Sequence, residues 1–245
     1  MSETWVILGA SSAMARAFAR KVSAEGCRVI LTGRDMPDLK QNATDCALRG
    51  AADAVAMKFD ARDPKTFDPI IEAAATQTGA LNVAVFVSSM PEQSLIDENP
   101  SLAAETIQDG FTGPIQFMHA FAPLMEERES GAVVGIASVA GDRGRIGNYV
   151  YGATKAGFAT YLSGLRNRLA RKNVHVLTVK PGFVDTPMTW GLDGLFLVAS
   201  PEMVADTIWK ALGKKRNTIY VPFFWRYIML IIKHIPESIF KKMSI

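Results

Sequence analysis

Along the 245-residue chain, short apolar runs alternate with longer stretches in which apolar positions recur every three or four residues. The short runs are TWVILG, RVILTG, AVAMKF, NVAVFV, AVVGIAS, VHVLTV and TIYVPF. Each is brief and rich in β-branched residues, so each predicts a strand. The longer stretches predict helices. In SAMARAFARKVSAEG, for example, Met14, Phe18 and Val22 share a face and Gly26 marks the end. Strands this uniformly apolar are buried on both sides, as in a parallel sheet covered by helices. Regular alternation without a linker predicts one α/β domain, a doubly wound parallel sheet, over residues 1–222.

From residue 223 the pattern changes. In FWRYIMLIIKHIPESIFKKMSI, Arg226, Lys233, Glu237 and Lys241 recur at helical spacings. They leave an apolar face of Trp225, Leu230, Ile231, Ile232 and Ile235, which defines an amphipathic C-terminal tail over residues 223–245. Pro236 predicts a break into two helices, at the first turn of the second. Charge follows the same division. The chain carries a net +3, yet from Lys210 onward eight Lys/Arg face the single acid Glu237, a surplus of seven, which leaves the rest about four units negative. A basic tail on an acidic domain argues against nucleic acid as a partner. The tail has two readings: a helix packed over the pocket or a partner subunit, or an interfacial anchor with its basic residues toward lipid phosphates. No apolar run is long enough to span a bilayer.

Composition adds little chemistry of its own. Cys27 and Cys46 lack metal or redox spacing and read as free thiols in a reducing compartment. His119, His175 and His234 show no ligand or triad spacing, so no metal is expected. The N-terminus has no basic region ahead of an apolar run, and a cytoplasmic protein is expected.

Two stretches do carry chemistry. The first, ILGASSAMARAFAR, joins the first strand to the first helix, where a doubly wound sheet binds phosphate. A helix N-terminus offers unpaired N–H groups, Ser11 and Ser12 add hydroxyls, and Gly9 allows the tight turn. The glycines usual later in such a turn are replaced by Ala13 and Ala15. A purely structural turn is the alternative. The second strand ends LTGRD, with Gly33 where a ribose-binding carboxylate commonly stands, followed by Arg34. A guanidinium suits a 2′-phosphate, which favours NADP(H) over NAD, unless Arg34 is an ordinary surface arginine. Asp60 is placed to accept from an adenine amino group, or else to cap the following segment.

The second stretch is NYVYGATKAG. Tyr151 and Lys155, four apart on a helix, are neighbours on one face. A nearby cation stabilises phenolate and lowers a tyrosine pKa from about 10, making Tyr151 a general acid or base. Ser138, at the end of a strand, would hold a substrate carbonyl oxygen. Gly152, Ala153, Ala156 and Gly157 would leave room for a cofactor against the helix.

With the strand-one turn, Ser138, Tyr151 and Lys155 in place, the sequence resembles the short-chain dehydrogenase/reductase family over essentially its first 220 residues. The resemblance implies a Rossmann fold and a reductase or dehydrogenase acting between a carbonyl and a secondary alcohol. It implies Ser138, Tyr151 and Lys155 as catalytic residues, with Lys155 also on the nicotinamide ribose. The implied cofactor set is Gly9, Ser11, Ser12, Ala13, Met14, Arg34, Asp60, Ala61, Ser88, Tyr151, Lys155, Pro181, Gly182, Val184 and Thr186. Of these, Pro181, Gly182, Val184 and Thr186 belong to KPGFVDTPM, which would close over the nicotinamide. It also implies a homodimer or homotetramer, paired through residues 101–127 and the helix of Tyr151. Three departures stand out. FVSS, residues 86–89, replaces the family's Asn-Asn-Ala-Gly, Gly110 replaces a helix asparagine that supports a catalytic water, and Ala13 adds a methyl beside the pyrophosphate. They make a non-catalytic nucleotide sensor or scaffold the rival reading. The tail resembles that of bacterial reductases acting on polyprenyl-phosphate-linked keto-pentose, which implies a hydrophobic or lipid-linked carbonyl substrate and peripheral membrane contact.

Overall fold

The computed structural model describes residues 3–186 and 197–243. Seven strands and ten α-helices are present among them. In chain order they are β1 (Thr4–Leu8), α1 (Ala13–Ala24), β2 (Arg28–Gly33), α2 (Met36–Leu48), β3 (Asp53–Lys58), α3 (Asp68–Ala75), β4 (Leu81–Val85), α4 (Gln93–Glu98), α5 (Pro100–Ile107), α6 (Gly113–Arg128), β5 (Ala132–Ile136), α7 (Tyr149–Leu169), β6 (His175–Pro181), α8 (Pro201–Gly213), β7 (Thr218–Val221), α9 (Trp225–His234) and α10 (Glu237–Phe240). All seven expected strands form, and they pair in parallel in the order β3-β2-β1-β4-β5-β6-β7. The winding reverses between β1 and β4. That reversal leaves a crevice at the carboxyl ends of the strands, where such sheets hold ligands.

The alternation of side chains along each strand explains why the apolar runs are continuous. Trp5 and Ile7 of β1 enter one core with Phe18, Leu31 and Ile208. Val6 and Leu8 enter the other with Phe117, Phe121, Phe158 and Leu162. Both faces are therefore covered, and every residue of β1 and β4 is buried. β3 and β7 depart from this expectation: their outer residues are partly exposed because each lies at an edge of the sheet. Helix α1 begins at Ser12, whose hydroxyl accepts from the Ala15 amide at 3.3 Å. Phe18 and Val22 are buried on its inner face as their spacing requires, with Met14 packed at the margin. Between α5 and α6 the chain keeps turning through a π-helical turn, Gln108–Thr112, which holds Gly110 against α7.

The tail packs onto the domain. Trp225 and Met229 of α9 are buried with Val139, and Phe183, Tyr220, Ile228 and Ile232 pack around them. Arg143 fastens the end of the helix. It donates to the carbonyls of Ile232 and Ile235 at 2.6 and 2.7 Å and pairs with Glu237 at 2.9 Å. Its guanidinium also lies 3.7 Å from the Phe240 ring centroid. A cation at the C-terminal carbonyls suits both the helix dipole and the unpaired acceptors there. The expected apolar face is split. Positions 225, 228, 229 and 232 turn inward, while Leu230 and Ile231 turn outward beside Phe223 and Tyr227. Arg226, Lys233 and His234 share the exposed side, but the apolar arc is wider than the strip the domain covers, so Tyr227, Leu230 and Ile231 are left outside it. Pro236 separates α9 from α10 as expected, but stands just ahead of α10 and not inside its first turn. No described helix is long and apolar enough to cross a membrane. Cys27 and Cys46 are free and buried.

Candidate active site

The turn from β1 into α1 is built around Gly9. Its φ is +77°, and a Cβ there would meet the Val87 amide nitrogen at 3.1 Å, so only glycine fits. Ser11, Ser12, Ala13 and Met14 then present the start of α1 to the crevice. At the end of β2, Arg34 is exposed at the rim, while the Asp35 side chain caps α2 by accepting from the Asp38 amide at 3.2 Å. Asp60 accepts from the Arg62 amide at 3.0 Å. The capping alternative for Asp60 does not hold: Asp63 caps the next turn, accepting from the Lys65 amide at 3.2 Å. Gly9, Arg34, Asp60, Ala61 and Ser88 line a hollow of about 360 Å³ together with Phe59 and Asp109.

A second hollow, of about 620 Å³, holds Ser138, Tyr151 and Lys155. It also takes in Ala13, Met14, Pro181, Gly182, Val184 and Thr186. The two hollows share Ser11, Ser12, Phe86 and Ser88, so they form one cleft along the strand ends. Every residue expected to bind a cofactor or to act in catalysis lines this cleft. Of KPGFVDTPM, Pro187 and Met188 lie outside the described residues.

Ser138 follows β5 in extended conformation, and its Oγ accepts from the Ala140 amide at 3.1 Å. The hydroxyl proton is thereby left to donate. Tyr151 and Lys155 sit one turn apart at the start of α7, 8% and 2% exposed. Lys155 Nζ donates to the Ile136 carbonyl at 2.9 Å and lies 5.7 Å from the Tyr151 ring centroid. Burial pulls Lys155 down to about 7. Burial also pushes Tyr151 up to about 12, against a Ser138 hydrogen bond and the charge of Arg145. This reverses the expectation that the lysine lowers the tyrosine. A buried ammonium is itself destabilised, and desolvation of the phenolate outweighs its neighbours. The phenol therefore keeps its proton at neutral pH, which suits a donor.

One further expectation is corrected. The small residues of α7 make no room for a cofactor. A Cβ on Gly152 would meet the Ala140 carbonyl at 2.9 Å, and one on Gly157 would meet the Phe111 ring at 2.8 Å, so both serve helix packing. Ala156 lines a different hollow, beside Lys180, and Ala153 is exposed. At Gly110, a Cβ would come within 2.9 Å of Thr154 Oγ1, so an asparagine there would require the Thr154 side chain to shift. The replacement FVSS brings Ser88 into the cleft with its Oγ buried and without a hydrogen-bond partner.

Several lining residues escaped the sequence reading, chiefly Arg145, Asn148, Phe183, Asp185 and Asp109. Arg145 and Asn148 lie in the polar loop DRGRIGN, which has no periodicity to point with. Asp109 is reached from Arg62 by a bidentate pair, both contacts 2.8 Å, across a sequence separation of 47.

The family model described as short chain dehydrogenase matches residues 3–193. An uncharacterized oxidoreductase of Mycobacterium tuberculosis is 28% identical over 239 residues, covering 97% of this chain and 96% of that protein. One from Staphylococcus epidermidis is 31% identical over 189 residues, 77% of this chain and 80% of the relative. Among solved structures, a short chain dehydrogenase/reductase family protein aligns with a TM-score of 0.78 at 26% identity, over 89% of this chain and 94% of that one. A variant actinorhodin polyketide ketoreductase with NADPH aligns with a TM-score of 0.81 at 21% identity, over 91% and 97% of the two chains, a likeness of fold. With a family match over most of its length and a Rossmann-type sheet carrying the cleft, this chain belongs to the short-chain dehydrogenase family.

Proposed function

We propose that this oxidoreductase reduces a carbonyl to a secondary alcohol with NADPH. The observation that carries the reading is the convergence of Ser138, Tyr151 and Lys155 on one cleft that also holds the α1 N-terminus. The residues present fit the cofactor: Gly9 keeps the turn open for a pyrophosphate, Ser88 Oγ is an orphaned buried hydroxyl, and Arg34 stands at the far end for a 2′-phosphate. NADPH would supply the hydride. Ser138 would turn the hydroxyl proton that it gives Tyr151 toward the carbonyl oxygen and fix the orientation of the group. Tyr151, protonated at neutral pH, would give that oxygen its proton as negative charge develops. Lys155 would hold the nicotinamide ribose, its own pKa near neutrality letting it pass a proton toward Tyr151.

Tyr151→Phe tests this. NADPH-dependent reduction should vanish while NADPH affinity, measured by fluorescence titration, stays within about twofold. Wild-type turnover in the variant would refute the mechanism. A nucleotide-binding sensor on the same fold would bind NADPH and leave every carbonyl intact.

Two partners belong to the same reading. The outward positions of α7, Ala153, Thr160, Ser163 and Gly164, are small and would let a second copy approach closely in a homodimer or homotetramer. Phe223, Tyr227, Leu230 and Ile231 are exposed beside Arg226 and Lys233, which suits peripheral contact with an anionic lipid surface and a lipid-linked substrate.

A further inference from the structure

The loop between β5 and α7 places three charges within four residues, Asp142, Arg143 and Arg145. Two of them are engaged in structure. Asp142 takes the Lys180 ammonium and, at 2.7 Å, the Tyr220 hydroxyl. Arg143 holds the end of α9. Arg145 does neither. It lines the hollow that contains Ser138, Tyr151 and Lys155, and its Nε is buried without a hydrogen-bond partner. Among the described residues no carboxylate pairs with it. Asn148, one helical turn ahead of Tyr151, lines the same hollow with its Oδ1 likewise buried and unpaired.

A half-buried guanidinium with no carboxylate in contact is costly, and burial, outweighing the nearby charge of Asp142, holds Arg145 below its usual pKa. The other charged groups of the hollow do not answer it. Arg16 is already paired with Asp38, and Asp185 has interactions of its own. Nor is the arginine placed for the pyrophosphate, whose cradle is the start of α1. The charge of Arg145 acts on Tyr151, which puts it at the phenol end of the cleft. An arginine fork presents two parallel N–H groups to a planar or tetrahedral oxyanion.

We propose that Arg145 forms a substrate-binding subsite for an oxyanion, so that the carbonyl substrate carries a carboxylate or phosphate close to its reacting carbon, while the unpaired Asn148 Oδ1, an acceptor, is left for a substrate hydroxyl. This rests on the reading of the cleft as a carbonyl-reducing site, and it names the substrate class.

The test uses two pairs of ketones with the NADPH-loaded full-length protein: levulinate against methyl levulinate, and dihydroxyacetone phosphate against dihydroxyacetone. Dissociation constants come from calorimetry and turnover from NADPH consumption. At least one charged member should bind about tenfold or more tightly than its neutral partner, and which pair shows it tells carboxylate from phosphate. In Arg145→Met that ratio should fall toward one, and in Arg145→Lys, which keeps the charge without the fork, it should lie between. The proposal is overturned if charged and neutral members bind equally to the wild type, or if none binds at millimolar concentration. It is also overturned if the ratio survives in Arg145→Met, or if that variant weakens NADPH itself tenfold, which would assign the arginine to the cofactor. A charge preference in binding with no turnover of any compound supports the subsite and counts against carbonyl reduction.

Discussion

Replacing Trp225 by alanine should damage both the stability of the domain and the cleft it borders. The indole is 2% exposed and lies on Gly182 so closely that no Cβ could be added there. It meets the Phe183 ring edge to face, with centroids 5.4 Å apart. Truncating a buried tryptophan removes its transfer free energy and leaves a cavity, about 3–5 kcal/mol in all. Domains are stable by only about 5–15 kcal/mol, so this is a large share. For a chain of this length each kcal/mol moves the melting temperature by roughly 2–4 °C, so a drop of about 6–20 °C is expected. Ile231→Ala, on the same helix but 69% exposed, should cost under about 0.5 kcal/mol. Thermal unfolding followed by circular dichroism compares the two. Because Gly182 and Phe183 line the cleft, Trp225→Ala should also weaken NADPH binding in a fluorescence titration, and Ile231→Ala should not. A melting temperature within about 2 °C of wild type would show that the tail does not depend on this contact, and the packing argument would fail.

Arg34→Ala should lose about 1.5–3 kcal/mol of NADPH binding, roughly tenfold or more, and leave NADH unaffected. Equal dissociation constants for the two cofactors in the wild type would sink the 2′-phosphate assignment. Burial lowers Lys155 from 10.5 to about 7, so between those values the unfolded chain holds a proton that the native chain has lost. Cofactor-free protein should therefore gain stability from this group as pH rises from about 7 toward 10, and Lys155→Met should flatten that part of the profile in urea melts. Light scattering at micromolar concentration should give a dimer or tetramer, and a monomeric mass would refute pairing through α7. Full-length protein should sediment with anionic vesicles at low salt, and Phe223→Ser with Ile231→Ser should release it. Protein that stays in the supernatant would leave the tail as a packing element alone.

Much of this protein was legible from local pattern. Seven apolar runs specified seven strands, because the five inner strands are buried and apolar at nearly every position, and the edge strands β3 and β7 keep enough apolar residues to show the same pattern. The turn at Gly9, the serine after β5, and the Tyr151–Lys155 spacing could be read because each lies within one short segment, where chain geometry alone sets the relation between residues. What was not legible needed partners far away in sequence. Whether α9 would lie on the domain depended on Gly182 leaving space for Trp225 and on Arg143 reaching the carbonyls of Ile232 and Ile235. The direction of the Tyr151 shift depended on how deeply the fold buries the phenol, which four-residue spacing does not contain. Arg145 and Asn148 came to line the cleft only through the fold, from an irregular loop with no pattern of its own. Periodicity is a property of neighbours along the chain and survives in the sequence, whereas desolvation and charge pairing are set by what the tertiary structure brings around each group.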